Sequence, residues 1–390
     1  DKDSSLTFDG QNVEITEIIN GGAFNVSGDN TQFTLNGAEG SKNITITKNV
    51  LTKCKTSTDE YDGTTLGGMV MFRGGNGAGV ANYDKSTVNL KNCNLSKNTV
   101  VTCGGGIASL NGLIIDSCDI TENKGAETAD MASCGGIFCS GENNKISNCL
   151  IARNTASTDG GILCINASGI ISNCEILGNT GTLGVGGLDF IFCENFTVSN
   201  CTISDNVGER QGGVICSSIN SCAFEDCTVT GNKSTGTDTI YGTGISISSG
   251  KIALLGSMNI TGNTVNGVAN NLFLTDNTDN ITINLSDDLG NKLSTDSRIG
   301  VSARTTTPPV KFAEKGDETM EGCFESDNAS YTVMRIDSDF YLQPIYDNLY
   351  YSTKSGSGKF YSDSSCSKDT FMTKLSQTMK CANSGCKIYM

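Results

Sequence analysis

The sequence predicts an all-β protein, a right-handed parallel β-helix (solenoid) of about ten coils with a β-rich C-terminal cap. Three observations carry this reading. A six-residue phrase built on Cys, an aliphatic residue and Asn recurs along the chain, and a Gly-Gly phrase keeps step with it. The composition agrees: 47 Gly, 3 Pro, no Trp, no His and 6% aromatics in 390 residues leave Ile, Val, Leu and Cys to build the core.

The first phrase reads CNLSKN from Cys93, CDITEN from Cys118, CLIARN from Cys149, CEILGN from Cys174, CTISDN from Cys201 and CTVTGN from Cys227. It continues with a substituted first residue as ITITKN from Ile44 and MNITGN from Met258. Its closing asparagines are Asn49, Asn98, Asn123, Asn154, Asn179, Asn206, Asn232 and Asn263, and from Asn98 onward they are spaced by 25, 31, 25, 27, 26 and 31 residues. The first interval, 49 residues, is expected to hold two coils. The second phrase appears at Gly67, Gly105, Gly135, Gly160, Gly186 and Gly212, and more weakly at Gly242.

A period near 26 residues fits a leucine-rich horseshoe, a helical array or a β-helix. Residue type decides among them. Apolar residues alternate within segments rich in Ile, Val, Thr and Asn, which is a strand pattern. No leucine framework is present.

In a parallel β-helix each coil advances about 4.8 Å, so equivalent residues stack in columns. Cys93, Cys118, Cys149, Cys174, Cys201 and Cys227 and the aliphatic residues two positions later share one side of a strand, and so form two inward ladders. The closing Asn lies where the chain turns; it is expected to tolerate a left-handed backbone and to bond its side-chain amide to the next coil. The paired glycines are expected to permit positive φ and a close corner.

Residues 1–40 read as an N-terminal cap or first coils, 41–290 as the repeats, a rod of about 45 Å, 291–346 as a β-rich cap, and 347–390 as a Cys-containing tail module. The only Pro-Pro, at Pro308, lies in the cap region.

A net charge of −15, with 42 acidic and 27 basic residues and no basic run, argues against nucleic acid or an anionic membrane surface as partner. No stretch reaches the length of a membrane span. The chain begins at Asp1, as a processed or excerpted chain would.

These phrases resemble extracellular right-handed parallel β-helix repeat proteins, surface adhesins of the polymorphic-outer-membrane-protein and pectin-lyase-like type, over about residues 40–290. The IGVS, SDN and YTV…DFYLQ segments near the end are similar to the close of β-helix domains in bacterial surface adhesins. The resemblance implies secretion or surface display and an adhesive or scaffolding role. No membrane barrel accompanies the repeats, so autotransport is not implied.

Many β-helices cleave polysaccharides, which takes paired carboxylates, or a base with acidic calcium ligands. Asp159, Asp189 and Glu209 with Arg210 lie near the glycine corners, but no pair recurs within one phrase, and they are expected to be solvated loop carboxylates. No catalytic residue and no cofactor are expected. With no CxxC and no His, no metal site is expected either.

Stacked thiols are read as small buried hydrophobes, since parallel side chains keep their β-carbons too far apart for a relaxed disulfide. Cys103, Cys134, Cys193, Cys222, Cys366, Cys381 and Cys386 are the expected disulfide candidates. Asn94, Asn166, Asn195 and Asn232 head Asn-x-Ser/Thr sequons that permit glycosylation. The function expected from all of this is a non-enzymatic secreted or cell-surface adhesin or structural scaffold. Its partner would be a glycan or protein receptor. The alternatives are a subunit of an extracellular filament that self-associates end to end, and a polysaccharide lyase or hydrolase.

Overall fold

The structure is a computed structural model that describes residues 5–10, 13–17, 24–26, 32–51, 80–82, 87–100, 104–127, 133–237, 242–275, 280–304, 309–352, 359–361 and 382–389. It is a parallel β-solenoid of about 9 turns, close to the ten expected.

Each coil carries two principal strands, a two-residue corner strand and a third strand after the glycines. In one coil these are Phe196–Ser199, Thr202–Ser204, Val207–Gly208 and Val214–Ser217. The coil strands bond their equivalents in neighbouring coils, in register except for local shifts where Ile137–Ser147 meets Ile162–Ser172 and where Ile219–Glu225 meets Gly250–Leu255. Ile120, Ile151, Ile176, Ile203, Val229, Ile260 and Ile299 form one unbroken column, and all are buried. Burying one such side chain contributes about 1.5–3 kcal/mol, so the column is a principal source of cohesion between coils.

The segment 1–40 contributes real coils. Ser5–Asp9 pairs with Gln32–Asn36, Val13–Thr16 with Ile44–Thr47, and Phe24–Val26 with Val80–Asn82. The 49-residue interval is one coil and not two. Ile44–Thr47 pairs directly with Cys93–Ser96; the Gly67 phrase lies outside the described residues.

The turns differ from expectation in a second way. Positive φ falls on the residue before each closing Asn, as at Lys97, Glu122, Arg153 and Asp205, or on Gly178 and Gly231. The ladder asparagines themselves point inward from ordinary backbone.

The paired glycines serve close approach rather than positive φ. A β-carbon on Gly161 would sit 2.3 Å from the Gly187 carbonyl oxygen, and one on Gly187 would sit 2.5 Å from that of Gly213. Coil-to-coil backbone contact therefore leaves no room for a side chain.

The parallel ladder runs past residue 290. Arg298–Ala303 pairs with Leu272–Leu274 and with Phe324–Ser326. A three-stranded antiparallel sheet, Val310–Ala313, Asp339–Pro344 and Tyr331–Ile336, follows. Its Phe312 and Phe340 rings pack with Phe324 at centroid separations of 5.1–6.1 Å and close the apolar interior at this end. In the tail, Tyr346–Ser352 pairs with Lys359–Tyr361 and Ala382–Tyr389.

Candidate functional site

Two internal ladders and one acidic cluster concentrate the polar chemistry of the described residues. The amide ladder joins Asn49, Asn98, Asn123, Asn154, Asn179, Asn206, Asn232 and Asn263 in a single chain of hydrogen bonds. All eight are fully buried.

Asn179 shows the pattern. Its Oδ1 accepts from the backbone N and Nδ2 of Asn154 at 2.9 and 3.0 Å. Its Nδ2 donates to the Ile151 carbonyl at 2.9 Å and to Asn206 Oδ1 at 3.0 Å. Both amide hydrogens and both oxygen lone pairs are used, which is what makes a buried carboxamide tolerable.

The ladder goes on beyond the recurring phrase. Asn263 donates from N and Nδ2 to Asn271 Oδ1, both at 2.9 Å, and Asn271 donates to the carboxylate of Asp327. Sequence reading missed Asn271 and Asp327 because both fall outside the period: Asn271 follows Asn263 by 8 residues.

The thiols form a comparable ladder. The backbone N of Cys93 donates to Cys118 Sγ at 3.4 Å, that of Cys118 to Cys149 Sγ at 3.4 Å, and that of Cys174 to Cys201 Sγ at 3.5 Å. Each thiol in turn donates to the carbonyl two residues earlier, as Cys149 does to Ser147 at 2.9 Å. The Cys227 N donates to Met258 Sδ at 3.4 Å, and Met258 N to Ser297 Oγ at 3.0 Å. Met258 thus keeps a sulfur acceptor in the column, and Ser297 replaces it with oxygen.

The disulfide candidates Cys134, Cys193 and Cys222 are buried and form no disulfide, which corrects the expectation of bridges at these three turn positions. Cys193 and Cys222 belong to the apolar interior, whereas Cys134 packs in a separate buried cluster with Ala108, Phe138, Leu163 and Ile165. Cys134 Sγ donates to the Ile137 carbonyl at 3.1 Å, and Cys193 Sγ to that of Cys164 at 3.4 Å. Burial pushes the Cys193 thiol up to about 12. Burial likewise pushes up Cys164, whose sulfur lies 3.2 Å from Cys139 Sγ, well beyond a disulfide length of about 2 Å. Cys103, Cys366 and Cys381 lie outside the described residues; Cys386 is in the strand Ala382–Tyr389, and its side chain is outside the description.

Of the sequons, Asn166 and Asn195 are exposed and Asn94 is half-buried. Asn232 is fully buried, and its Nδ2 donates to the Ile203 carbonyl at 2.9 Å and to Asn263 at 2.8 Å. A glycan would take one of these two amide hydrogens and would have to fit inside the fully buried column, so Asn232 belongs to the ladder and not to the modification sites.

The acidic cluster is where the structure departs furthest from the sequence expectation. Asp159 and Asp189 are 5% and 8% exposed, not solvated. Asp159 lies in a column of single parallel bridges, Cys134, Asp159, Val185 and Gln211. Asp189 takes an outward position between Leu163 and Ile215 on adjacent coils.

Asp159 and Asp189 act on one another's charge across adjacent coils. Burial, then the facing Asp189 carboxylate, holds Asp159 well above the ordinary carboxylate range. Burial pushes Asp189 up to about 7, against the opposing pull of the Asp159 hydrogen bond and the Arg210 charge. Asp189 Oδ1 has no hydrogen-bond partner. Arg210 and Glu209 are exposed. The pair is invisible within any one phrase because its members come from different coils.

The profile of the family described as "Right handed beta helix region" matches residues 78–252 and 135–288. This chain belongs to that family. The two overlapping matches cover most of the ladder described above. No curated protein and no solved structure matches. Among the described residues, no helix is long and apolar enough to cross a membrane.

Proposed function

We propose that this β-helix chain is a non-enzymatic, secreted or cell-surface protein, an adhesin or structural scaffold whose outer columns meet a glycan or protein receptor. One observation carries the reading. Inward columns are nearly uniform, as in the Ile column, whereas the outward column on the same strands runs Asn94, Asp119, Leu150, Glu175, Thr202, Thr228 and Asn259. Packing fixes the inside and leaves the outside free to vary, which suits a rigid support that displays a recognition surface.

The phenylalanine cluster at the C-terminal end supports single rods over the filament alternative, since it covers the edge on which another chain would stack. Polysaccharide cleavage is the second reading. It is favoured by the paired Asp159 and Asp189 carboxyls, although both lie beneath the corner and not on an open face.

Electron microscopy of the purified chain, together with binding to a glycan and cell-surface panel, tests the proposal. Single rods that bind without releasing sugar are expected. Polymers would select the filament, and sugar release that is abolished by Asp159→Asn would select the enzyme.

A further inference from the structure

Cys139 and Cys164 face each other across two consecutive coils. They are partners in the pairing of Ile137–Ser147 with Ile162–Ser172, and their sulfurs are 3.2 Å apart. Paired strands lie about 4.8 Å apart, within the Cα separation that a disulfide spans. In the same column Ser109 precedes Cys139 and Phe190 follows Cys164, so neither thiol has a second cysteine in register.

The recurring ladder thiols are held differently. Cys149 Sγ donates to the Ser147 carbonyl at 2.9 Å and accepts from the Cys118 backbone N at 3.4 Å, and Cys174 Sγ donates to the Ser172 carbonyl at 3.2 Å. Such bonds keep each sulfur on the backbone. Among the described residues, the Cys139 and Cys164 thiols have each other as hydrogen-bond partner and no backbone group. The pairing shifts register immediately after them, where Gly141 meets Ala167 and Asn144 meets Gly169. A bulge bends its strand, interrupts the ladder and re-aims nearby side chains, which is a local cause for two thiols converging where stacked residues elsewhere run parallel.

We propose that Cys139 and Cys164 are a redox-sensitive staple, joined by a small-molecule disulfide oxidant into an inter-coil disulfide that ties the two coils together beside the bulge. The thiolate of one cysteine attacks the S–S bond of the oxidant, forms a mixed disulfide and releases one small thiol. The thiolate of the other attacks that mixed disulfide, forms the Sγ–Sγ bond at about 2 Å and expels the second. Two electrons pass from the pair to the oxidant, and the two cysteine protons end on the two released thiols. Without such an oxidant both remain thiols. Both residues are fully buried, and burial raises the Cys164 pKa, so the exchange belongs to the stage of folding before these coils close. This chemistry is independent of the adhesive reading above.

Refolding the fully reduced, denatured chain in a mixture of oxidised and reduced glutathione tests the staple, followed by denaturation, maleimide blocking of the remaining thiols and peptide mass mapping. Cys139 and Cys164 are expected to be joined to one another in most molecules, while Cys149 and Cys174 are blocked. Compared with the same chain refolded in dithiothreitol, the unfolding equilibrium constant should fall on the order of a hundredfold, as a closed loop of this length implies, and Cys139→Ala should lose most of that gain. Blocking of both Cys139 and Cys164, or a link between them no more frequent than one between Cys149 and Cys174, overturns the proposal. A stability gain that survives unchanged in Cys139→Ala overturns it as well. The mapping uses the native sequence, so it decides the matter even where the alanine variant fails to fold.

Discussion

Asn271 ends the buried amide ladder on the carboxylate of Asp327, donating from its backbone N to Oδ2 at 2.8 Å and from Nδ2 to Oδ1 at 2.6 Å. Each asparagine passes donors to the next coil, so the column can finish only on a group that accepts and does not donate. A carboxylate is such a group, and Ser302 Oγ adds a third donor to it at 2.7 Å. Gly300 makes the space: a β-carbon there would lie 2.2 Å from Asp327 Oδ1.

Asp327→Ala should therefore cost about 2–4 kcal/mol, the penalty for leaving donors to a charged acceptor unpaired. Asp327→Asn, which keeps one acceptor oxygen, should cost less. Thermal unfolding checks this, and an alanine variant that melts with the native protein would remove Asp327 from its terminating role.

In the middle of the ladder the loss is larger. Asn179→Leu removes four side-chain hydrogen bonds and leaves partners on Asn154, Ile151 and Asn206 unsatisfied. A destabilisation of about 3 kcal/mol or more is expected, with Asn154→Leu behaving alike. Unchanged unfolding in both variants would refute the ladder's structural role.

The thiols should be silent until the coil opens. Thirteen described cysteines are buried and outside any disulfide, and burial holds thiols such as Cys193 protonated at neutral pH, which suppresses the nucleophilic thiolate. Intact mass after a maleimide pulse is expected to show these sites unmodified in native buffer and fully modified in denaturant. Rapid native labelling at Cys174 or Cys193 would contradict the burial.

Stability should fall as pH rises through neutrality. Asp189 titrates near 7 in the fold against about 4 when unfolded, so between those values the folded state holds the extra proton. The stabilisation is complete below about pH 4 and is lost as pH climbs through about 7, an effect on the order of a few kcal/mol. Denaturant melts at a series of pH values measure it. Stability that instead rises over this window in the native protein, or an identical profile in Asp189→Asn, would contradict the assignment.

The periodic parts of this molecule were legible from sequence. Column positions repeat, so Asn154 above Asn123 and Cys149 above Cys118 could be read from spacing alone. What escaped was aperiodic. Asn271 and Asp327 act once, at the end of the column. Asp159 and Asp189 occupy different positions within their own coils and meet only because consecutive coils touch. The length of an interval also misled, since 49 residues can be two coils or one coil with an insertion, and only the direct pairing of Ile44–Thr47 with Cys93–Ser96 distinguishes them. Of the two roles expected of the paired glycines, Gly161 shows the close approach, since a carbonyl of the next coil passes it, and not the positive φ.

The stacking itself is tested most directly by a distance between spin labels carried on unnatural ketone side chains at Lys97 and Asp205. Both residues are exposed, and Glu122, Arg153 and Gly178 occupy the coils between them, each bonded through its backbone N to the strand of the next coil. Four steps of about 4.8 Å place the two backbones about 19 Å apart. A narrow distribution near that value, broadened only by the label linkers, is the expected result. A broad distribution, or one centred beyond about 40 Å, would contradict the columns on which every other inference rests.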